Sequence, residues 1–294
     1  MLTVPAAFEK FRSRLEVTEQ EARSAASRQR QIRDRVEAGL DPGAVADDFL
    51  TGSYRRETKT KPLRDVDIMV VLSDGGLTVR PPREPLDRVQ EILAGHYGEG
   101  NVRVDVRAVR VDFQAVPTSE EPDPVMSFDV VPAVAAGDSY LIPDAELGTW
   151  ITTNPKVHAD LARDANDALD GKWKPVVKMA KAWNRNAGHP IESSFLLEAM
   201  ALELVRGPWG GSWPMEVRAL LGTAADRVTE TWPDPAGVGP DLVQAWDGVS
   251  CAAVPYLRRA EGACTEAMRL DRASRTGDAL QVWQDLFGPM FSKS

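Results

Sequence analysis

Gly52-Ser53-Tyr54-Arg55-Arg56, followed after a short basic segment by Asp65-Val66-Asp67-Ile68-Met69-Val70-Val71-Leu72, is the stretch on which the fold turns. Its second half is an almost unbroken apolar run, the pattern of a strand buried on both faces. Its first half is a Gly-Ser turn, which offers backbone N–H groups and a hydroxyl to an anion at the start of a short helix. Asp65 and Asp67 stand at i and i+2, so a strand projects both carboxylates from one face. Hard carboxylate oxygens held together in this way suit divalent cations such as Mg²⁺. A strand, an anion-binding turn and paired carboxylates together predict a site for a metal-bound triphosphate, with Gly52 and Ser53 holding phosphate.

A third carboxylate has to come from a neighbouring strand, and Asp105, Asp112 and Asp129 are the candidates. Asp105 lies between Arg103 and Arg107 in a strand whose polar face reads as solvated. Asp112 sits between Val111 and Phe113, and pattern alone leaves it open. Asp129 is favoured, because Phe128, Val130 and Val131 embed it in an apolar strand, where a carboxylate is costly unless paired or metal-bound. Asp65, Asp67 and Asp129 around two Mg²⁺ ions about 3.5–4 Å apart would suit in-line attack on phosphorus, with Mn²⁺ as a substitute. The cations Arg55, Arg56, Lys59, Lys61 and Arg64 between turn and strand read equally well as a solvated loop or as a rim for polyphosphate.

Outward from this core, apolar residues recur at threes and fours from about Pro5 to Leu40, which predicts one long amphipathic helix closed by Asp41-Pro42-Gly43. Further strands are expected around Val102–Val106, Val109–Phe113 and Val125–Val131, the last stopped by Pro132. The acidic, proline-rich Thr118–Pro124 reads as a loop. Beyond Trp150 the pattern is mostly helical, with helices expected near 154–168, 175–186, 193–206, 215–232, 241–269 and 278–287. The fold class is therefore α+β: a mixed or antiparallel sheet with helices, plus a C-terminal helical lobe and a long N-terminal brace helix. The division expected is a catalytic lobe over 1–150, including the first helix, and a helical lobe over 151–294.

With 294 residues, 43% of them hydrophobic, the chain can bury a sizeable core, and its net charge of −9 argues against a surface made to coat nucleic acid. Two cysteines, Cys251 and Cys264, without CxxC spacing give no support to a zinc site or a disulfide framework. Charges begin at Glu9 and Lys10, and no run of about 18 apolar residues occurs, so no signal peptide or membrane span is expected. These features point to a cytoplasmic protein.

The quoted motifs resemble the DNA-polymerase-β-like nucleotidyltransferases and, within them, the bacterial cGAS/DncV-like nucleotidyltransferases. The matching segments are Gly52 to Thr58, Asp65 to Ile68, Phe128 to Pro132, Trp150-Ile151-Thr152-Thr153-Asn154-Pro155, Lys181-Ala182-Trp183-Asn184, and Trp283 through Phe287-Gly288 to Phe291. The resemblance implies a polymerase-β-like core and a Mg²⁺-dependent synthase. Such an enzyme joins NTPs (ATP, GTP or both) into a cyclic oligonucleotide, releasing pyrophosphate. The product would act through a downstream effector in CBASS-like anti-phage defence. It further implies that Lys181, with Lys178 one turn earlier as a rival, and Ser194 bind the triphosphate, and that Phe195 stacks on the donor base. No segment corresponds to the zinc-bearing DNA-binding insertion of the animal relative, and a monomer is expected. Two alternatives remain at this stage: transfer of a nucleotide to a protein, tRNA or small molecule, and nucleotide binding without turnover.

Overall fold

A computed structural model of the chain describes residues 2–113 and 127–293; the expected loop Thr118–Pro124 and the start of the strand at Val125-Met126 lie outside the described residues. Backbone contacts divide the chain into two units. One comprises Val17–Ala159 with Ala236–Pro240, and the other Met1–Glu16, Asp160–Pro235 and Asp241–Ser294.

Among the described residues the first unit holds a seven-stranded mixed sheet. Its strands are β1 (Val45–Thr51), β2 (Asp65–Leu72), β3 (Val102–Val104), β4 (Val109–Asp112), β5 (Ser127–Ala136), β6 (Ser139–Asp144) and β7 (Thr149–Thr153). The spatial order is β1-β2-β5-β4-β3, with β6 pairing β5 and β7; β2 and β5 run parallel and the other pairs antiparallel. Val66, Ile68 and Val70 of β2 share one core with Phe128, Val130, Val109 and Val111. Two helices complete that core: α2 (Glu19–Gly39), through Ala25, Ile32 and Val36, and α4 (Arg83–Tyr97), through Leu86, Val89 and Leu93. The opposite face of β2 is apolar only further along, where Met69 and Val71 pack with Ala133, Tyr140 and Ile142. The apolar run therefore reflects two separate cores, and Asp65 and Asp67 occupy the open end of the second face.

Two sequence expectations change here. The helical stretch over 5–40 is two helices, α1 (Val4–Leu15) and α2, because Thr18 caps α2. Thr18 Oγ1 accepts from the Glu21 N–H at 3.2 Å and Glu21 Oε2 accepts from the Thr18 N–H at 2.8 Å, a reciprocal capping box that starts a new helix. Glu21 Oε1 also accepts from the buried Leu63 N–H at 2.8 Å, which ties the segment before β2 to the same helix end. The second change is that Pro132 does not stop β5. It sits between the last β4 partner, Val130, and the first β6 partner, Val134, where no strand is in register opposite it on that side.

The second unit is helical: α1, the greater part of α5 (Pro155–Ala168), α6 (Trp173–Asn186), α7 (Ser194–Leu204), α8 (Trp213–Arg227), α9 (Gly248–Arg272) and α10 (Thr276–Phe287). Its core joins both ends of the chain. Phe8 of α1 meets Trp283 of α10 edge-on, with ring centroids 4.9 Å apart, and Phe11 lies 4.6 Å from Phe287. Phe291 closes the cluster 5.3 Å from Phe8. These fully or almost fully buried rings explain the apolar spacing at Trp283, Phe287 and Phe291. Both cysteines lie in α9 as free thiols, and burial pushes Cys264 up to about 12. Among the described residues no helix is long and apolar enough to cross a membrane.

Candidate active site

The Gly-Ser turn forms as a single helical turn, α3 (Gly52–Arg55), between β1 and β2. Gly52 has φ +62°, and a Cβ built there would lie 1.8 Å from Asp67 Oδ2. Only glycine allows this backbone to approach the carboxylate so closely. The Ser53 carbonyl accepts from the N–H groups of Thr58 (3.0 Å) and Lys59 (3.1 Å), so the basic segment folds back onto the turn.

Pairing then assembles the carboxylates. In the parallel β2–β5 ladder Asp67 is the direct partner of Asp129, and Asp65 of Ser127. On the far side of β5, Arg110 opposes Asp129 and Asp112 opposes Ser127. Residues in register project from the same face, so Asp67, Asp129 and Arg110 form one row across three strands. Asp65, Ser127 and Asp112 form the next. Asp112, the alternative third carboxylate, is engaged by Arg103 and by Arg110 Nε at 3.3 Å. Asp105 receives the N–H of Val106 in a turn beside β3 and is exposed.

Asp129 is the unusual group. Its Oδ2 is 3.5 Å from Arg110 Nη1, while its Oδ1 is buried with no hydrogen-bond partner. Burial, and then the neighbouring Asp67 charge, push its carboxyl up to about 6 against the opposing pull of Arg110. An unpartnered buried carboxylate oxygen is costly and calls for a partner such as a water, an ion or a reactant. Arg110, which sequence reasoning leaves out, is itself fixed by Nη2 donating to Ser127 Oγ at 2.7 Å. Its signal was present: Val109-Arg110-Val111-Asp112 alternates apolar and charged residues just as β2 does at its start.

The basic segment is neither a solvated loop nor a uniform rim. Arg56, Thr58 and Thr60 are buried, Arg55 and Arg64 are exposed, and Lys59 places Nζ 2.5 Å from Asp65 Oδ2. With Lys59 on Asp65 and Arg110 on Asp129, no three His, Cys, Asp or Glu side chains among the described residues converge as a ready-made cation cluster. The donor set still fits a hard divalent cation in its chemistry: carboxylate oxygens on one face, one of them unsatisfied, beside a turn that a Cβ would fill. Asp65, Asp67 and Asp129 are the residues that would hold it.

The helical unit places its candidates differently. Lys181 Nζ is 2.6 Å from Glu198 Oε1, with both side chains almost wholly buried, so this pair joins α6 to α7. Lys178 Nζ lies 2.5 Å from Glu16 Oε2. Asn184 clamps the segment before α7: its Nδ2 donates to the Ile191 carbonyl at 2.7 Å and its Oδ1 accepts the Ile191 N–H at 3.0 Å. Ser194, the first residue of α7, is exposed, and Phe195 is half-buried. The resemblance to Lys181-Ala182-Trp183-Asn184 thus includes an internal joint. Glu198, a carboxylate within the apolar Leu196–Ala201 run, is legible by the same logic as Asp129. Asn154 has a structural part too, its Oδ1 accepting from the Val157 N–H at 3.1 Å as α5 begins.

Residues 2–166 match the family model described as "Second Messenger Oligonucleotide or Dinucleotide Synthetase domain". The chain belongs to this family. It is a bacterial cGAS/DncV-like nucleotidyltransferase, a cyclic oligonucleotide synthase. Among curated relatives of these synthases, a probable cyclic nucleotide synthase of Bacillus cereus (strain VD146) is 24% identical over 274 residues, covering 82% of this chain and 80% of that protein. A cyclic AMP-AMP-AMP synthase of Acinetobacter sp. (strain ATCC 27244 / 9458) is 32% identical over 164 residues, covering 52% of this chain and 44% of that protein. The solved structure of CdnC from E. coli MS115-1 with ATP superposes with TM-score 0.75 at 17% identity, covering 99% of both chains. That likeness shows that the synthase fold extends over the helical unit as well as the sheet.

Proposed function

We propose that this synthase joins nucleoside triphosphates in a divalent-cation-dependent reaction that releases pyrophosphate, and that its cyclic product signals in CBASS-like anti-phage defence through a separate effector. The observation that carries the chemistry is the in-register pair Asp67–Asp129, with Asp65 two residues before and Asp129 Oδ1 unpartnered. Bound divalent cations would lower the barrier by neutralising the triphosphate and the charge developing on the leaving pyrophosphate. In each step the acceptor ribose oxygen forms a bond to the donor α-phosphorus as the bond from that phosphorus to pyrophosphate breaks. The hydroxyl proton would leave toward the carboxylates, where Asp129 Oδ1 has no hydrogen-bond partner. Gly52 and Ser53 position phosphate against the α3 turn, and ATP, GTP or both are the substrates, as the E. coli CdnC structure with ATP suggests by analogy.

In the helical unit, Ser194 is assigned to the triphosphate and Phe195 to the donor base. Lys178 and Lys181 are the lysines assigned to the triphosphate; Lys178 is paired with Glu16, and Lys181 with Glu198 joins α6 to α7. The test is incubation with four NTPs and Mg²⁺ or Mn²⁺, phosphatase treatment, and mass spectrometry. A phosphatase-resistant cyclic product absent from Asp65→Asn/Asp67→Asn supports the proposal. Equal behaviour of variant and wild type sinks it, and label transferred to a macromolecule redirects it.

A further inference from the structure

The two cations on the carboxylate face are held in different ways. Arg110 is fastened on three sides, by Ser127 Oγ at 2.7 Å, Asp112 Oδ1 at 3.3 Å and Asp129 Oδ2 at 3.5 Å. Its place is set by the β4–β5 register whatever Asp129 binds. Among the described residues Lys59 has one charged partner, Asp65, and its side chain hangs from a segment without regular secondary structure. Its backbone N–H nevertheless donates to the Ser53 carbonyl at 3.1 Å, so Lys59 is tethered beside the phosphate-binding turn.

We infer that Lys59 is an exchangeable cation: it competes with the divalent ion for Asp65 and, once displaced, turns to the triphosphate on the neighbouring Gly52-Ser53 turn. Two observations favour exchange over a fixed structural pair. The pair is open to solvent, with side-chain exposures of 16% for Lys59 and 39% for Asp65, unlike the sealed Lys181–Glu198 pair. Also, a metal held by Asp65 would take away the charged partner that Lys59 has among the described residues, and for an ammonium tethered at the turn a nearby polyanion is the natural replacement. No bond is made or broken in the exchange, and the total charge of the site falls by no more than the triphosphate brings. Lys59 therefore binds substrate and also restrains cation binding when nucleotide is absent. The Gly52-Ser53 turn and Asp65 are the only parts of the proposed site on which this inference rests.

The test measures two affinities with opposite expected signs, on the full-length protein. Mn²⁺ binding without nucleotide is followed by the electron paramagnetic resonance signal of free Mn²⁺. Binding of the non-hydrolysable α,β-methylene analogue of ATP is followed by calorimetry in saturating Mg²⁺. Lys59→Gln is expected to bind Mn²⁺ about 5-fold more tightly, the scale of a partly exposed ion pair. It is expected to bind the ATP analogue about 10-fold more weakly, the scale of one charge-assisted hydrogen bond. Lys59→Arg, which keeps the charge, should return both values toward wild type. Unchanged or weaker Mn²⁺ binding in Lys59→Gln, with an unaltered unfolding curve, overturns the exchange. Wild-type protein that takes up no more Mn²⁺ than Asp65→Asn/Asp67→Asn instead overturns the metal site itself, and the inference with it.

Discussion

Asp129 and Asp144 are carboxylates in one sheet, in β5 and at the end of β6, and they titrate in opposite directions. Burial pushes both upward. For Asp144 that push is outweighed, because its Oδ1 accepts from the N–H groups of Leu147 (2.8 Å) and Glu146 (3.1 Å) and its Oδ2 from Arg107 Nε (2.8 Å). Its carboxyl is therefore held below the usual range. Asp129 is desolvated, has Asp67 beside it, one guanidinium no nearer than 3.5 Å and an oxygen with no partner, so its carboxyl rises to about 6. A satisfied buried carboxylate belongs to the scaffold, whereas an unsatisfied one carries a desolvation cost that a bound cation or reactant would relieve. The Lys181–Glu198 pair of the helical unit belongs with Asp144: it is buried, and each charge is matched.

This contrast can be broken most directly by exchanging the roles. Asp129→Asn should cut cyclic product formation by about 10³-fold or more, since one carboxylate of the set is lost, while leaving stability unchanged or raised. Rates from pyrophosphate release and unfolding curves in urea decide it; substantial activity in the variant removes Asp129 from the chemistry. Lys181→Met should behave as a scaffold lesion, costing about 3–5 kcal/mol by leaving Glu198 charged and buried. A cost under about 1 kcal/mol, in a variant that has lost nucleotide binding, would make Lys181 a ligand and not a joint.

The pH dependence sharpens the comparison further. A carboxyl whose folded value is raised stabilises the protein below its unfolded value and loses that contribution as pH climbs through the folded one. Between about pH 4 and pH 7 in EDTA, wild type should therefore lose up to about 3 kcal/mol relative to Asp129→Asn. Added Mg²⁺ should offset that loss, because the ionised carboxylate binds the cation. Paired denaturation curves check both signs, and a flat difference would mean that Asp129 is not desolvated in solution. The smallest effect belongs to Thr18→Ala, about 1 kcal/mol from the lost cap of α2, with activity largely intact.

Much of the candidate site was legible because its signals are local. A buried aspartate in an apolar strand, two aspartates at i and i+2, and a glycine before a serine each carry their own physical argument. For Arg110 the sequence carries only the alternation of its strand; its importance comes from standing opposite Asp129, a pairing that the local pattern does not contain. The split between α1 and α2 was hidden by a shared helical period, although Thr18 and Glu21 spell a capping box. β6 and β7 were missed because Pro143 and Gly148 interrupt short patterns that only pairing with β5 and with each other completes.

What the residues determined by themselves was the alternation that puts Asp65 and Asp67 on one face, the positive φ that requires Gly52, and the apolar runs that make strands and helices. These follow from backbone geometry over a few neighbouring residues. Tertiary structure decided the row Asp67–Asp129–Arg110, the selection of Lys59 from five nearby cations, and the inward turn of Lys181 onto Glu198. Those outcomes depend on which distant segments share a core. A one-residue change of register in β2, β4 or β5 would carry the corresponding member of the row Asp67–Asp129–Arg110 to the other face.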